Sequence, residues 1–591
     1  MSIALSYPGV YIEELSSGQH TITGVATSIA AFVGWAPQGP MDEAVMVESW
    51  SEYQALYGGL IPGVYLGYAV YQFFLNGGSQ AYIVRMVWTD AETASSTISG
   101  LALYASNPGD WANSIGVSIS NVNSIANTFN LQVTNASGQT LESYTNLSIS
   151  PTNPQFAVAV INSDSSYITF TPPGKPAPTS ITLPTATTKF TVNSTVRGTV
   201  SGSVSFISGE QVVQNTTTAS AYLLGTVNSS GPMAIGPVTG ASPSIIDDWV
   251  GIQSGAIFKP SALPVVIDSP TSILLNKGTS SNDGSDGSTL IPGDGNFETQ
   301  LKSAQGYSLL ANVPIFNLLC VPGESSATVV PDLQKFCAQY RAFLIVDSDI
   351  KAVVGTGSTG LSSTGPADGS GNTLVNQYAD NSAFYFPWVL APDPAKGFRP
   401  TLFPPCGFVA GIYAATDASR GVWKAPAGIN SSLTGALGLQ FTINDQQNGL
   451  LNPMGVNCLR QFRNIGNVVW GSRTIAGSDE AGSQWKHVPI RRLALFLESS
   501  LYYGTQWVVF EPNDEPLWGQ IRMNVGAFMQ GLFLQGAFAG TTPRQAYFVK
   551  CDKENNLGPS VALGIVNITV GFAPLYPAEF VVIQIQQMLN N

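Results

Sequence analysis

The sequence predicts a multidomain α/β chain: an α/β core, inserted all-β domain(s), an α+β C-terminal domain, and extended strand arms at both ends. Three observations carry that prediction. Apolar strand-length runs alternate with helical patterns over residues 28–88 and again from about 306 to 347, the order of crossover units with parallel pairing. Between 111 and 240 only six side chains are charged, and short alternating segments are broken by Asn, Gly and Pro, which is all-β patterning. At the N-terminus Tyr7-Pro8-Gly9 leads into the short extended segment Val10-Tyr11-Ile12-Glu13-Glu14. Near the C-terminus Val581, Ile583 and Ile585 alternate with Gln584 and Gln586, the period of a strand with one buried face. An exposed strand is a template for pairing with another chain. On periodicity alone both ends pair either within their own domain or with a neighbouring copy, and the two readings stay open.

Taken in order, Ser28 to Gly34 is an apolar strand, and Ser49 with Glu52 has capping-box spacing that opens a helix carrying Tyr53, Leu56 and Tyr57. A second helix, Val64 to Leu75, is apolar nearly all round and stops at Asn76-Gly77-Gly78, a left-handed cap. Ala81 to Trp88 is a buried strand; Phe129–Val133 and Tyr167–Phe170 typify the inserted strands. Ile315 to Val321 is a strand, Pro331 to Tyr340 a helix, and Phe343 to Asp347 a strand, followed by a Gly/Ser loop over 355–376. From about 480 come a helix (Arg491–Tyr503), a strand (Gln506–Glu511), a long helix (Asp514–Gln535) and three strands. The long helix has an acidic first turn with Pro516 just inside. Ile521, Val525, Phe528 and Leu532 recur along it at 4-3-4 spacing, a stripe that ordinarily faces a core. The expected division is an N-terminal arm (1–20), a discontinuous α/β core (21–105 with 243–480), a β-rich insertion (106–242), a C-terminal domain (481–576) and a C-terminal arm (577–591).

Composition bounds the function. A chain of 591 residues holds roughly three or four domains of ~150 residues. Only 10% of residues are charged, with a net charge of -13, against an average near ~25%. An acidic balance opposes direct nucleic-acid binding, which needs clustered Lys and Arg. The five cysteines lie far apart with no CxxC pair, so reduced, buried thiols are expected rather than a disulfide framework. The N-terminus lacks the basic and apolar regions of a secretory leader, and no stretch approaches ~18 uninterrupted apolar residues. Neither a leader nor membrane insertion is expected, and folding in the cytoplasm is.

The chemistry of a catalytic centre is missing. With only His20 and His487 there is no histidine cluster for zinc or for acid–base work, and His487, just before a helix, reads as structural or surface. Gly355-Thr-Gly357-Ser-Thr-Gly360 fits the dinucleotide fingerprint, but Leu361 onward reads as loop rather than the helix that must face the pyrophosphate. Asp283, Asp286 and Asp294 sit in Gly-rich turns that miss the calcium-loop spacing. No catalytic, cofactor or metal residues are assigned, and the chain is not expected to be an enzyme. Two rival classes remain to be weighed: a nucleotide-dependent oxidoreductase built on 315–360, and an adhesin recognising a surface through 111–240.

Several motifs carry a resemblance. Asn381-Ser-Ala-Phe-Tyr-Phe-Pro-Trp388, Pro404-Pro405-Cys406-Gly407, Arg420–Gly428, Leu451–Asn457, Val469–Thr474, Val508–Asn513, Gly536-Ala-Phe and Ala546–Asp552 occur in that order. With Tyr7–Glu14 and Phe73–Gly78, they resemble the sheath proteins of contractile bacteriophage tails over about 1–105 and 243–591. Cys406 stands where the family pattern has Ser. The resemblance implies a homopolymer of stacked hexameric rings around an inner tail tube, with baseplate and tail terminator proteins as further partners. It implies that contraction drives the tube through a host envelope, in a virion assembled in host cytoplasm; a phage-derived injection particle or bacteriocin is the alternative. By the same resemblance the arms (Val10, Tyr11, Ile12; Val581, Ile583, Ile585) pair with a small sheet in neighbours, making 481–576 a polymerisation domain. The sheet is expected from Tyr547–Lys550 and Val561–Phe572 (Tyr547, Val549, Ile565, Ile568, Val570). The long helix is the candidate tube-facing element, through Asp514, Glu515, Arg522 and Asn524.

Overall fold

The computed structural model describes residues 20–582, apart from 124–125, 185–195, 202–209, 215–219, 225–230, 240–247, 261–271 and 278. Its centre is an eight-stranded sheet made of β1 (Ala30–Trp35), β2 (Val45–Val47), β3 (Ala81–Met86), β4 (Leu318–Cys320), β5 (Phe343–Asp347), β6 (Ser382–Phe386), β7 (Val456–Phe462) and β8 (Gly466–Val469). The spatial order is β2-β3-β1-β4-β5-β6-β7-β8. From β3 to β7 neighbouring strands are parallel; β2 and β8 are antiparallel edges.

A parallel sheet covered on both faces needs continuous apolar strands, which is why AAFVGW and FLIVD are buried along their whole length. Ala31, Val33, Leu319, Leu344, Val346 and Phe384 point to one face, where Leu333, Phe336 and Cys337 of α3 (Val330–Tyr340) cover them. Phe32, Ile83, Leu318, Ile345 and Ala383 point to the other. There they meet α1 (Trp50–Tyr57), α2 (Tyr65–Leu75) and α4 (Cys406–Arg420). α2 and α4 touch almost backbone to backbone. A Cβ on Gly407 would lie 2.4 Å from the Ala69 carbonyl oxygen, so no larger residue fits at this crossing. The expected capping box closes on one side only: Ser49 accepts from Glu52 N–H at 3.2 Å, while the Glu52 carboxylate accepts from Glu48 N–H.

Two buried charged groups tie the core together. The Arg85 guanidinium donates to the carbonyls of Ala36, Pro37, Gly39 and Pro108 at 2.8–3.0 Å. It thereby pins the loop after β1 to the start of the inserted region. Asp347, at the end of β5, accepts from Gly323 N–H at 2.9 Å and from Cys406 N–H at 2.7 Å, where α4 begins. Burial pushes its carboxyl up to about 7 despite those donors. Its pKa is raised on folding, so the native state binds the extra proton between the unfolded and folded values, and this group's contribution falls as pH rises from about 4 to about 7. Asp347→Asn is expected to flatten stability across pH 4–7, measured by urea denaturation at each pH; an unchanged slope would reject the assignment.

The inserted β material is nested. Ser95–Ile98 pairs with Thr279–Asn282, so that Ser95 faces Asn282. One layer further out Gly116 faces Leu274, and in the outermost layer Gly198 faces Pro260. The outermost layer is a closed six-stranded barrel; the two inner layers are four-stranded sheets sharing the core of Ile98, Leu103, Phe129, Leu131 and Ile161. Of the expected limits, 106 directly follows the strand Leu101–Ala105, and 242 lies outside the described residues. Among the described residues, the bridge Glu92–Ser285 and the hydrogen bonds of Ser288 to Asp90 join the incoming and outgoing chain beneath these layers. Among the described residues the region also contains the α-helix Ala157–Asp164.

The C-terminal portion packs α5 (Val488–Gly504) and α6 (Glu515–Leu534) on a hairpin of β9 (Tyr547–Lys550) and β10 (Thr569–Phe572). The Arg492 guanidinium of α5 makes a two-pronged ion pair with Asp417 of α4 at 2.6 and 2.9 Å, both side chains 3% exposed, and donates to the Thr27 carbonyl. Three expectations are corrected here. Gln506–Glu511 is no strand: Gln506–Val508 is a 3-10 turn and Phe510 has φ 71°, because the chain must reverse between α5 and α6. Val561 lies in a short helix, Gly558–Ala562, opened by Pro559, so the strand expected from Val561 starts at Thr569. Leu361–Thr364, expected as loop, is a four-residue helix, a single turn after Gly360. The five cysteines are free and buried, as expected.

Candidate assembly interface

β9 and β10 pair antiparallel, with Tyr547 opposite Phe572 and Val549 opposite Val570. These four side chains turn toward the α6 core, and the Tyr547 hydroxyl donates to the Gln530 side chain at 2.9 Å. Phe548 lies on the other face, 56% exposed, over Gly571, where a Cβ would come within 2.2 Å of its ring. Each strand has one partner in this two-stranded sheet, so each presents an edge on which a further strand can add. Ile565 and Ile568 do not belong to it. They precede β10 in a segment that Asn555, Asn556 and Asn567 clasp through side-chain amides.

Beyond β10 the chain runs to a fixed point. Glu579 accepts from Arg473 Nε at 3.0 Å and Nη2 at 2.6 Å. The Arg473 side chain is fully buried, and its third nitrogen donates to Asp479 at 2.9 Å. Lys486 reaches the same Asp479 oxygen at 2.6 Å; that bond, with Arg473 nearby, holds the Asp479 carboxyl below its usual range. His487 Nδ1 lies 3.5 Å from Glu579, and burial holds this imidazole below its usual range. Asn457 orients the clamp: its amide donates to the Arg473 carbonyl at 2.7 Å and its oxygen accepts the Arg473 N–H at 2.7 Å. Two motifs separated in sequence, Leu451–Asn457 and Val469–Thr474, thus serve one joint. Past it, Phe580, Val581 and Val582 are 76–82% exposed. Sequence reasoning missed the clamp, although Glu579 is the lone charged residue of 577–591.

The other sequence-derived candidates divide. Val10, Tyr11, Ile12, Ile583 and Ile585 lie outside the described residues. On α6, Asp514 caps the helix by accepting Leu517 N–H, and Glu515 pairs with Arg522 at 2.6 Å. Arg522 also donates to the Cys551 carbonyl, so it ties α6 to the hairpin rather than standing free. Asn524 is 5% exposed and turned inward among the stripe residues, which removes it from any outer contact face. The outer face shows Gln520, Met523, Ala527 and Leu534. At the far end of the chain, His20 stacks on Trp507 with ring centroids 4.1 Å apart, and Ile22 joins the α5–α6 core.

The chain thus combines a sheet covered on both faces with an open-edged hairpin packed on two helices. Residues 312–475 match the family described as phage tail sheath protein central domain. A chain from Pseudomonas aeruginosa (strain UCBPP-PA14) named as a prophage major tail sheath protein is 27% identical over 182 residues, covering 30% of this chain and 44% of that one. The tail sheath protein of Vibrio phage KVP40 is 26% identical over 156 residues, covering 26% and 22%. The matched stretches thus span less than half the length of these relatives. The fold is shared along nearly the whole chain with three solved sheath structures. The contracted PVC sheath of an extracellular contractile injection system has a TM-score of 0.51 at 19% identity, covering 99% of both chains. The contracted anti-feeding prophage sheath has 0.51 at 20%, covering 99% of this chain and 100% of that one. A sheath tail protein of Listeria innocua has 0.51 at 12%, covering 94% and 96%. The resemblance to contractile tail sheath proteins read from the sequence is borne out.

Proposed function

We propose that this chain is the repeating structural subunit of a contractile tail sheath. Copies polymerise as stacked hexameric rings around an inner tube, between a baseplate and a terminator, and contract to drive the tube through the host envelope for genome delivery. The virion tail is its place of action, after assembly in host cytoplasm. The observation that carries this reading is the pairing of an open-edged hairpin with a chain end that leaves a fixed clamp as exposed apolar sequence, Phe580-Val581-Val582. Strands donated by the arms of neighbouring copies, from Gly9–Leu15 and Glu579–Met588, complete the hairpin into a larger sheet. Main-chain pairing then links subunits while the rigid α/β bodies turn about the arms, and the outer face of α6 lies toward the tube. The nested β layers point outward as decoration, and the boundaries we propose for them are near 94 and 283. A phage-derived injection particle is built on the same mechanics and differs by carrying no genome.

Deleting residues 1–15, or 583–591, is expected to leave the far-ultraviolet circular dichroism unchanged and to abolish regular sheaths in negative-stain micrographs. The C-terminal deletion stops short of Glu579 so that the clamp survives. Sheaths of normal length from both truncations would remove the proposal.

A further inference from the structure

The turn between α5 and α6 carries a bare aromatic at its tip. Phe510 is fully exposed, more so than any other large apolar side chain among the described residues, and Val509 beside it is 58% exposed. Its backbone sits in the left-handed region at φ 71°, where a bulky aromatic is an outlier. The turn holds it there from both sides. Glu511 N–H donates to the Val508 carbonyl at 3.2 Å, and the Asn513 side chain joins the Trp518 indole N–H to the Ile565 carbonyl. A strained residue persists only where its surroundings over-determine it, and such residues gather at sites of use. Glu511, the next residue, is exposed and has no cationic partner among the described residues. The tip is therefore a rigid aromatic followed by a free negative charge.

The opposite end of α6 carries the complement. There a trough of about 760 Å³ is lined by Arg420, Trp423, Lys424, Trp470 and Tyr576, together with Gln535 just past the helix. Arg420 and Lys424 have no carboxylate partner among the described residues. The Lys424 ammonium donates to the neighbouring Ala425 carbonyl at 2.7 Å, and burial, then the adjacent Arg420 charge, hold it below its ordinary range. Two like charges brought together favour an acidic occupant, and the two indoles offer faces to an aromatic one. We infer that the trough receives the Val509–Glu511 turn of a second copy of this chain, Phe510 lying against the indoles and Glu511 meeting Arg420 and Lys424. The inference rests on the sheath reading and adds to it a contact between rigid bodies that the strand arms do not make. α6 is 20 residues long, roughly 30 Å, so donor and receiver stand at opposite ends of one rod and the contact runs head to tail. Contacts of that kind build rings or helical filaments. An aromatic anchor seated in a pocket beside paired charges is the form in which interfaces concentrate their binding energy.

The test joins a crosslink to an assembly measurement. Chains carrying Glu511→Cys are assembled with chains carrying Lys424→Cys and oxidised in air with copper-phenanthroline; the five native thiols are buried and do not compete. A disulfide-linked pair of chains is expected on a non-reducing gel, absent from either variant alone and from mixtures in which Lys302→Cys replaces Lys424→Cys. In parallel, Phe510→Asn, which suits the left-handed backbone, is expected to keep or raise the urea midpoint. The same variant should need roughly tenfold more chain to form sheaths. Glu511→Lys is expected to lose sheaths, and Glu511→Lys with Lys424→Glu in one chain to regain them. Sheaths that lack the crosslink, or that form from Phe510→Asn at the wild-type concentration, would overturn the docking and leave the sheath reading standing. A link formed only within single chains carrying both cysteine substitutions would do the same. Wild-type chains that never polymerise would overturn the sheath reading, and the docking with it.

Discussion

Arg473→Leu is expected to cost about 3–5 kcal/mol of folding stability and to release the root of the C-terminal arm. The guanidinium is fully buried and bonds two carboxylates. Its removal leaves Glu579, 19% exposed, with a single distant imidazole for company. A buried ion pair is weak evidence for stability as a pair, but breaking one partner leaves an uncompensated charge. The measurement is a denaturant midpoint together with limited proteolysis of residues 573–582. Glu579→Gln, which keeps the volume and an acceptor, should cut faster than wild type and slower than Arg473→Leu. Equal cleavage in all three would mean that the segment is held by something else.

The second large effect is expected between α4 and α5. Arg492→Ala and Asp417→Ala should each lose about 3–5 kcal/mol, since each strands a charge in a contact where both partners are 3% exposed. The double variant should lose clearly less than the sum, because the second substitution removes the group the first left unpaired. Arg492 also donates to the Thr27 carbonyl and lies over the Tyr413 ring, 4.6 Å from its centroid. The arginine variant should therefore be the worse of the two singles. Strict additivity in a double-mutant cycle would argue that the two elements are joined by packing alone.

What could be read in advance follows from how local the physics is. Strands buried on both faces write themselves as unbroken apolar runs, so β1, β3 and β5 were visible in Ala30–Trp35, Ala81–Met86 and Phe343–Asp347. α6 was visible because its stripe, its acidic cap and Pro516 agree. The closing strands of the nested layers were not. Ile273–Leu274 and Thr279–Asn282 are two and four residues long, too short for any period, and exist because a distant strand offers them an edge. Val561 and Ile565 alternate like strand residues, yet Pro559 and Gly564 at φ 73° bend that stretch into a turn of helix and a loop. The clamp was hidden for the same reason: Arg473 and Glu579 lie 106 residues apart, and only the fold makes them partners.

The nested β layers have a practical corollary. Because the inbound and outbound strands of every layer are hydrogen-bonded neighbours, at Ser95 with Asn282, Gly116 with Leu274, and Gly198 with Pro260, each layer hangs from a two-stranded stalk. A stalk can be cut and rejoined by a tight turn without moving anything beneath it. Lineages could therefore trade these layers freely, and a foreign binding module grafted at 198 and 260 would take the place of the barrel.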